Sequence, residues 1–103
     1  MSDVSDLLAL SQSAHTEYQQ NMPRQSAQGI LPGNPELARA ALQQAYDLRA
    51  QADSTDPDHL DPAWLMDRAP HATLMVFYAK QMTKADEKEA ARLEKNTKKE
   101  LAT

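Results

Sequence analysis

Cysteine is absent from this 103-residue chain. Its absence excludes disulfides, thiolate-bound zinc, iron–sulfur clusters and a cysteine nucleophile. Glycine occurs only twice, at Gly29 and Gly33, and a Gly-rich phosphate loop needs several at fixed offsets. Aliphatic β-branched residues number three, Val4, Ile30 and Val76, too few for a sheet interior. Aromatic residues make up 5% of the chain, so any core is small and aliphatic. The longest apolar run, Leu74 to Ala79, falls far short of the roughly 20 residues that cross a bilayer. The acidic start, with Asp3 and Asp6, is the reverse of a basic signal-peptide leader.

Good helix formers are what remain. Alanine occurs seventeen times, and Leu, Gln, Glu, Lys and Met supply much of the rest. Hydrophobic residues at 41% and charged residues at 25% are globular rather than disordered values. The length suits one domain. These values predict an all-α chain: a small bundle of three to four helices, with an acidic body over 1–83 and a charged helical tail over 84–103. A soluble protein of the cytoplasm, or of a virion assembled there, is the expected setting.

Periodicity places the elements. The first helix is expected from about Ser5 to Gln20, with Ser2, Asp3 and Ser5 as candidate caps. Leu7, Leu10, Ala14 and Tyr18 make its apolar stripe, with Leu8 on the shoulder. Residues 21–33 read as a connector broken by Pro23, Gly29, Pro32 and Gly33. Within it, Ile30 and Leu31 either tuck beneath the loop or anchor a partner. The second helix, 34–52, has the clearest start: Asn34 as cap, Pro35 in the first position and Glu36 in the first turn. Leu37, Ala41, Ala45, Leu48 and Ala52 form its core stripe, widened by Ala38, Leu42 and Tyr46.

Four carboxylates and an imidazole then fall between Asp53 and Asp61. An EF-hand loop needs a Gly at its turn and a closing Glu, and this stretch has neither. It reads as a turn at Asp56-Pro57 and a helix cap at Asp61-Pro62, with a weak cation site as the alternative. A short helix over 62–69 carries Trp64, either the largest core residue or an interface anchor. Another helix, 70–83, holds Leu74, Met75, Val76, Phe77, Tyr78 and Met82. Apolar on more than one side, it is either central to the bundle or in contact with another chain. Thr83-Lys84-Ala85-Asp86 fits a capping box, so this helix either breaks there or runs on and protrudes.

Charge gives the functional hint. Residues 1–79 hold four Arg and ten acids, a net of −6, whereas residues 80–103 hold seven bases and five acids, a net of +2. Every lysine lies in that second segment, Lys98 and Lys99 included. Lys80, Lys84, Lys88 and Arg92 are spaced by four, one ridge on a helix. Either the ridge is a solvated face or it docks on an acidic surface. His15, His59 and His71 lie in separate segments, none four residues from another as a helical metal pair requires. Each reads as a surface or capping residue, and no catalytic residue, metal ligand or cofactor is assigned.

Ala45, Ala52 and Pro57 are spaced in a way that resembles the second helix of a tetratricopeptide repeat, but nothing else repeats at that period. The short acidic body with a charged helical tail is similar in style to small phage-encoded accessory and virion proteins. The expectation is a non-enzymatic interaction or assembly protein, partnered by another protein or by itself as a homo-oligomer, with no membrane. Its partner-binding residues would be Ile30, Leu31, Trp64, Val76, Lys80, Lys84, Lys88 and Arg92. Nucleic acid bound along the Lys80–Arg92 ridge is the alternative, disfavoured by the acidic body.

Overall fold

The structure, a computed structural model, describes residues 3–101, with side chains through residue 97. Ser2 lies outside the described residues, as do the side chains of Lys98 and Lys99. In chain order come α1 (Asp3–Gln20), a hairpin of β1 (Arg24–Ser26) and β2 (Gly29–Leu31), α2 (Pro35–Thr55), a 3-10 helix (Pro62–Met66) and α3 (His71–Leu101). Three α-helices thus make the small bundle that the composition implies. Among the described residues, no helix is long and apolar enough to cross a membrane.

Helix α2 starts as its local chemistry dictates. The Asn34 side chain accepts from Leu37 N–H at 3.1 Å, satisfying a donor the helix leaves orphaned, and Pro35 presets the first helical φ. Small residues line its buried face: Ala38, Ala41, Ala45 and Ala52, with Leu42. Helix α1 can therefore approach closely, and Ser11 Oγ donates 2.8 Å to the Ala45 carbonyl across the contact. One apolar cluster joins Ala14 and Tyr18 of α1, Ala38 to Ala45 of α2 and Tyr78 of α3. A second joins Val4 and Leu8 to Ala52, with Ala63 and Trp64 packed against it.

Several expectations need correcting. The buried stripe of α1 is Val4, Leu8, Ser11, Ala14 and Tyr18, whereas Leu10 is exposed. A serine that bonds a helix carbonyl counts as core here, which hydropathy spacing does not register. Helix α1 is a principal packing partner of α2, contributing to both apolar clusters. Leu37 is exposed, and the buried face of α2 contains a charged residue, Arg49. The expected helix over 62–69 is a 3-10 helix, Pro62–Met66, in which Asp61 caps Ala63 N–H at 2.9 Å.

The connector folds into a hairpin whose register pairs Arg24 with Leu31 and Ser26 with Gly29. Its two-residue loop is closed by Ser26 Oγ, which donates to the Gly29 carbonyl at 2.9 Å. Two short strands are marginal alone, so the neck matters. There Asn34 N–H donates 2.8 Å to the Asn21 carbonyl, and Gly33, at φ +70, lies so close that a Cβ would meet Asn21 O at 2.3 Å.

Helix α3 runs unbroken through Thr83, whose hydroxyl donates 3.0 Å to the Ala79 carbonyl of the same helix. Asp86, the acid of the would-be capping box, instead pairs with Arg39 of α2 at 2.9 Å. At 1.5 Å per residue, 31 residues span about 46 Å, and the molecule measures 60 × 35 × 19 Å. One end of this rod carries the Asp53–Asp61 loop beside the start of α1. The other carries the hairpin and the far part of α3.

Candidate functional site

Two regions gather chemistry-bearing side chains, one at each end of the bundle. At the hairpin end, α3 passes the start of α2 and leaves an open groove of about 870 Å³. Met22, Pro35 and Leu42 give it an apolar lining; Lys84, Lys88 and Arg92 stand along the α3 side together with Asp86 and Glu89, and Glu36 and Arg39 stand on the α2 side. The structure thus brings three of the four ridge residues to one groove. Lys80, also exposed, precedes it on α3. Arg92 is held by Glu89 at 2.6 Å, a bond that raises the guanidinium pKa and lowers that of the carboxyl.

The remaining expected contact residues are dispersed. Ile30, 75% exposed, and Leu31 project from the hairpin rather than tucking beneath it. Val76 is exposed on α3, while its neighbours Phe77 and Tyr78 turn inward. Trp64 lies at the opposite end, half-buried against Val4, Leu8 and Ala52. Its indole N–H donates 2.9 Å to Asp56 Oδ2, and one face stacks on His59 at 3.9 Å between centroids. Trp64 is therefore part of the scaffold, and it does not meet the lysine ridge.

Sequence reading missed a polar network that starts at Arg49. This guanidinium is fully buried and grips Asp67 in two bonds, Nη2 to Oδ1 at 2.8 Å and Nη1 to Oδ2 at 3.1 Å. Nη1 also lies 3.3 Å from His71 Nδ1. Guanidinium groups only donate, so this nitrogen accepts and the neutral ring carries its proton on Nε2. Burial first, and the Arg49 charge second, lower the His71 pKa. His15 Nδ1 meets the Tyr78 hydroxyl at 2.7 Å, and burial, then Arg49, lowers the His15 pKa as well. Burial raises that of Tyr78.

Beyond His71 the network reaches the surface. His71 Nε2 lies 4.0 Å from Asp53 Oδ1, and His59 Nε2 meets the same oxygen at 2.5 Å. Donor atoms of Asp53, His59 and His71 all fall within 4.8 Å of one another. Two of the three histidines, separate in sequence, are thus neighbours in space. Asp56 organises the loop between them by accepting Asp61 N–H at 2.8 Å, Leu60 N–H at 3.2 Å and the Trp64 indole. These bonds, the Asp61 one foremost, hold its carboxyl below the usual range. The sequence signal was the Asp53–Asp61 cluster itself, but nothing in it announced His71 as the third member.

Comparison with protein families, curated proteins and solved structures found no match. The residues and their geometry therefore carry the functional argument.

Proposed function

We propose that this chain is a non-enzymatic assembly protein that associates head to tail with further copies of itself. The groove beside α3 of one copy receives the acidic loop of the next. One observation carries the reading: the groove where Lys84 and Lys88 stand beside the ion pairs Arg39–Asp86 and Arg92–Glu89, and the acidic loop, lie at opposite ends of an elongated molecule. Leu60, 80% exposed, projects between Asp58 and Asp61, an apolar residue flanked by carboxylates. The groove offers a partial complement, an apolar lining edged by Lys84 and Lys88, with Arg92 held by Glu89, and with Glu36 across from them. Exposed Leu65 and Met66 extend the apolar surface at the acidic end. Such a heterologous contact does not close on itself as a twofold dimer does, and it builds rings or filaments. A structural or accessory component of a phage particle is the setting we favour for it.

Light scattering after size exclusion, with a concentration series at low salt, tests this reading. The expected mass rises above the 11.5 kDa monomer with concentration and falls back as salt screens the contact. Leu60→Ser and the pair Lys84→Glu with Lys88→Glu should each give monomer with unchanged helicity. Mixing the lysine variant with an Asp58→Lys, Asp61→Lys chain should partly restore association. A monomer throughout the series overturns the proposal, as does an oligomer indifferent to all these changes.

A further inference from the structure

The geometry points to a divalent transition-metal site of zinc type formed by Asp53 Oδ1, His59 Nε2 and His71 Nε2, with a coordination position left open. The inference is independent of the assembly reading. Two imidazoles and one carboxylate are borderline donors that suit Zn²⁺, Co²⁺ or Ni²⁺ rather than Ca²⁺ or Mg²⁺, which seek oxygen alone. Metal–ligand bonds of about 2.0–2.1 Å in a tetrahedron place ligand atoms about 3.3 Å apart. The present separations run from 2.5 Å, between His59 and Asp53, to within 4.8 Å for the whole set. Convergence on one ion thus needs displacements of about 1.5 Å or less, within the reach of side-chain rotation.

The scaffold around the trio is built to hold it. His59 has a positive φ of 53°, its only instance among the described non-glycine residues. For a residue with a Cβ this conformation carries strain, which persists where surrounding contacts over-determine it. Those contacts are present. The His59 ring lies nearly parallel to Trp64, at 9° and 3.9 Å, and His71 presents its edge to the same indole at 4.8 Å. Asp56 fixes that indole through its N–H. One tryptophan therefore positions both imidazoles. Their ligands come from three segments, the end of α2, the loop and the first residue of α3, so a bound ion would clasp the bundle at this end.

Binding requires one exchange. His71 must take its other tautomer, with Nε2 free to bind the metal and the proton on Nδ1; Nδ1 and Arg49 Nη1 are then both donors, so their 3.3 Å contact is given up and the imidazole swings toward the ion. Arg49 Nη1 retains Asp67 Oδ2 in that event, so the buried ion pair survives.

Calorimetric titration of the untagged, chelator-treated full chain with zinc chloride near neutral pH is the test, with Co²⁺ absorption as a second readout. Saturable one-site binding with a tetrahedral cobalt spectrum is expected, with Mg²⁺ and Ca²⁺ failing to compete. His59→Ala and Asp53→Ala sit on the exposed side, leave the core untouched, and should each weaken zinc by at least about tenfold. Far-UV circular dichroism confirms that each variant is folded. No saturable zinc binding at millimolar metal overturns the inference. Wild-type affinity in both variants overturns it equally, because the ion is then held elsewhere.

Discussion

Removing Asp67 should be among the most damaging single changes in this protein. Its carboxylate and the Arg49 guanidinium are 3% and 0% exposed at the side chain, so neither charge can be rescued by water. Asp67→Ala leaves a cation buried between α2 and α3, and breaking a buried pair in this way costs about 3–5 kcal/mol. Domains of this size are stable by about 5–15 kcal/mol in all. With a urea dependence of about 1.5 kcal/mol per molar, the unfolding midpoint should fall by about 2–3 M, followed by circular dichroism at the helix band. Arg49→Met should lose a similar amount, since it strands the carboxylate instead. Combining Arg49→Met with Asp67→Leu removes both charges, and this double variant should recover at least about 2 kcal/mol relative to the sum of the single losses. A loss below about 1 kcal/mol for Asp67→Ala, the range of surface ion pairs, would refute the account of a dry, interdependent pair.

Two further outcomes follow from the geometry. His15 has a folded-state pKa lowered from 6.5 by burial and by Arg49. Below about pH 6.5 the unfolded chain therefore binds more protons there, and the stability His15 contributes, complete above that pH, is lost as pH falls toward the folded pKa. Melting temperature should drop from pH 7.5 to 5.5, and His15→Gln should flatten the drop; an unchanged profile would exclude His15 as a contributor. Gly33→Ala should destabilise by about 2 kcal/mol or more, because it combines a left-handed φ with a Cβ placed 2.3 Å from Asn21 O. Thermal unfolding compared with wild type checks this, and a shift of under a degree would show that the hairpin neck relaxes freely.

Much of the fold is written locally. Scarce β-branched residues, the Asn34-Pro35-Glu36 start and the Asp61-Pro62 cap depend on neighbours a few residues away, and so they are legible from the chain alone. The same holds for the four-residue spacing that places Lys84, Lys88 and Arg92 along one face of α3. Tertiary structure decided what depends on contacts distant in sequence. Hydropathy set the α1 stripe on Leu7 and Leu10, whereas packing against α2 chose Ser11, opposite Ala45, and Val4 and Leu8, beside Ala52. A hairpin with one aliphatic β-branched residue, Ile30, gives almost no strand signal, and it is held by the Asn21–Asn34 bond at its neck. Helix α3 continues through Thr83, and Asp86, the acid of the would-be capping box, turns instead to Arg39, 47 residues upstream. The same is true of Arg49, which any pattern would place in solvent until Asp67 arrives to neutralise it. Burial, charge pairing and ligand convergence are properties of space. Asp53, His59 and His71 therefore become a site only once α2, the loop and α3 have folded around Trp64.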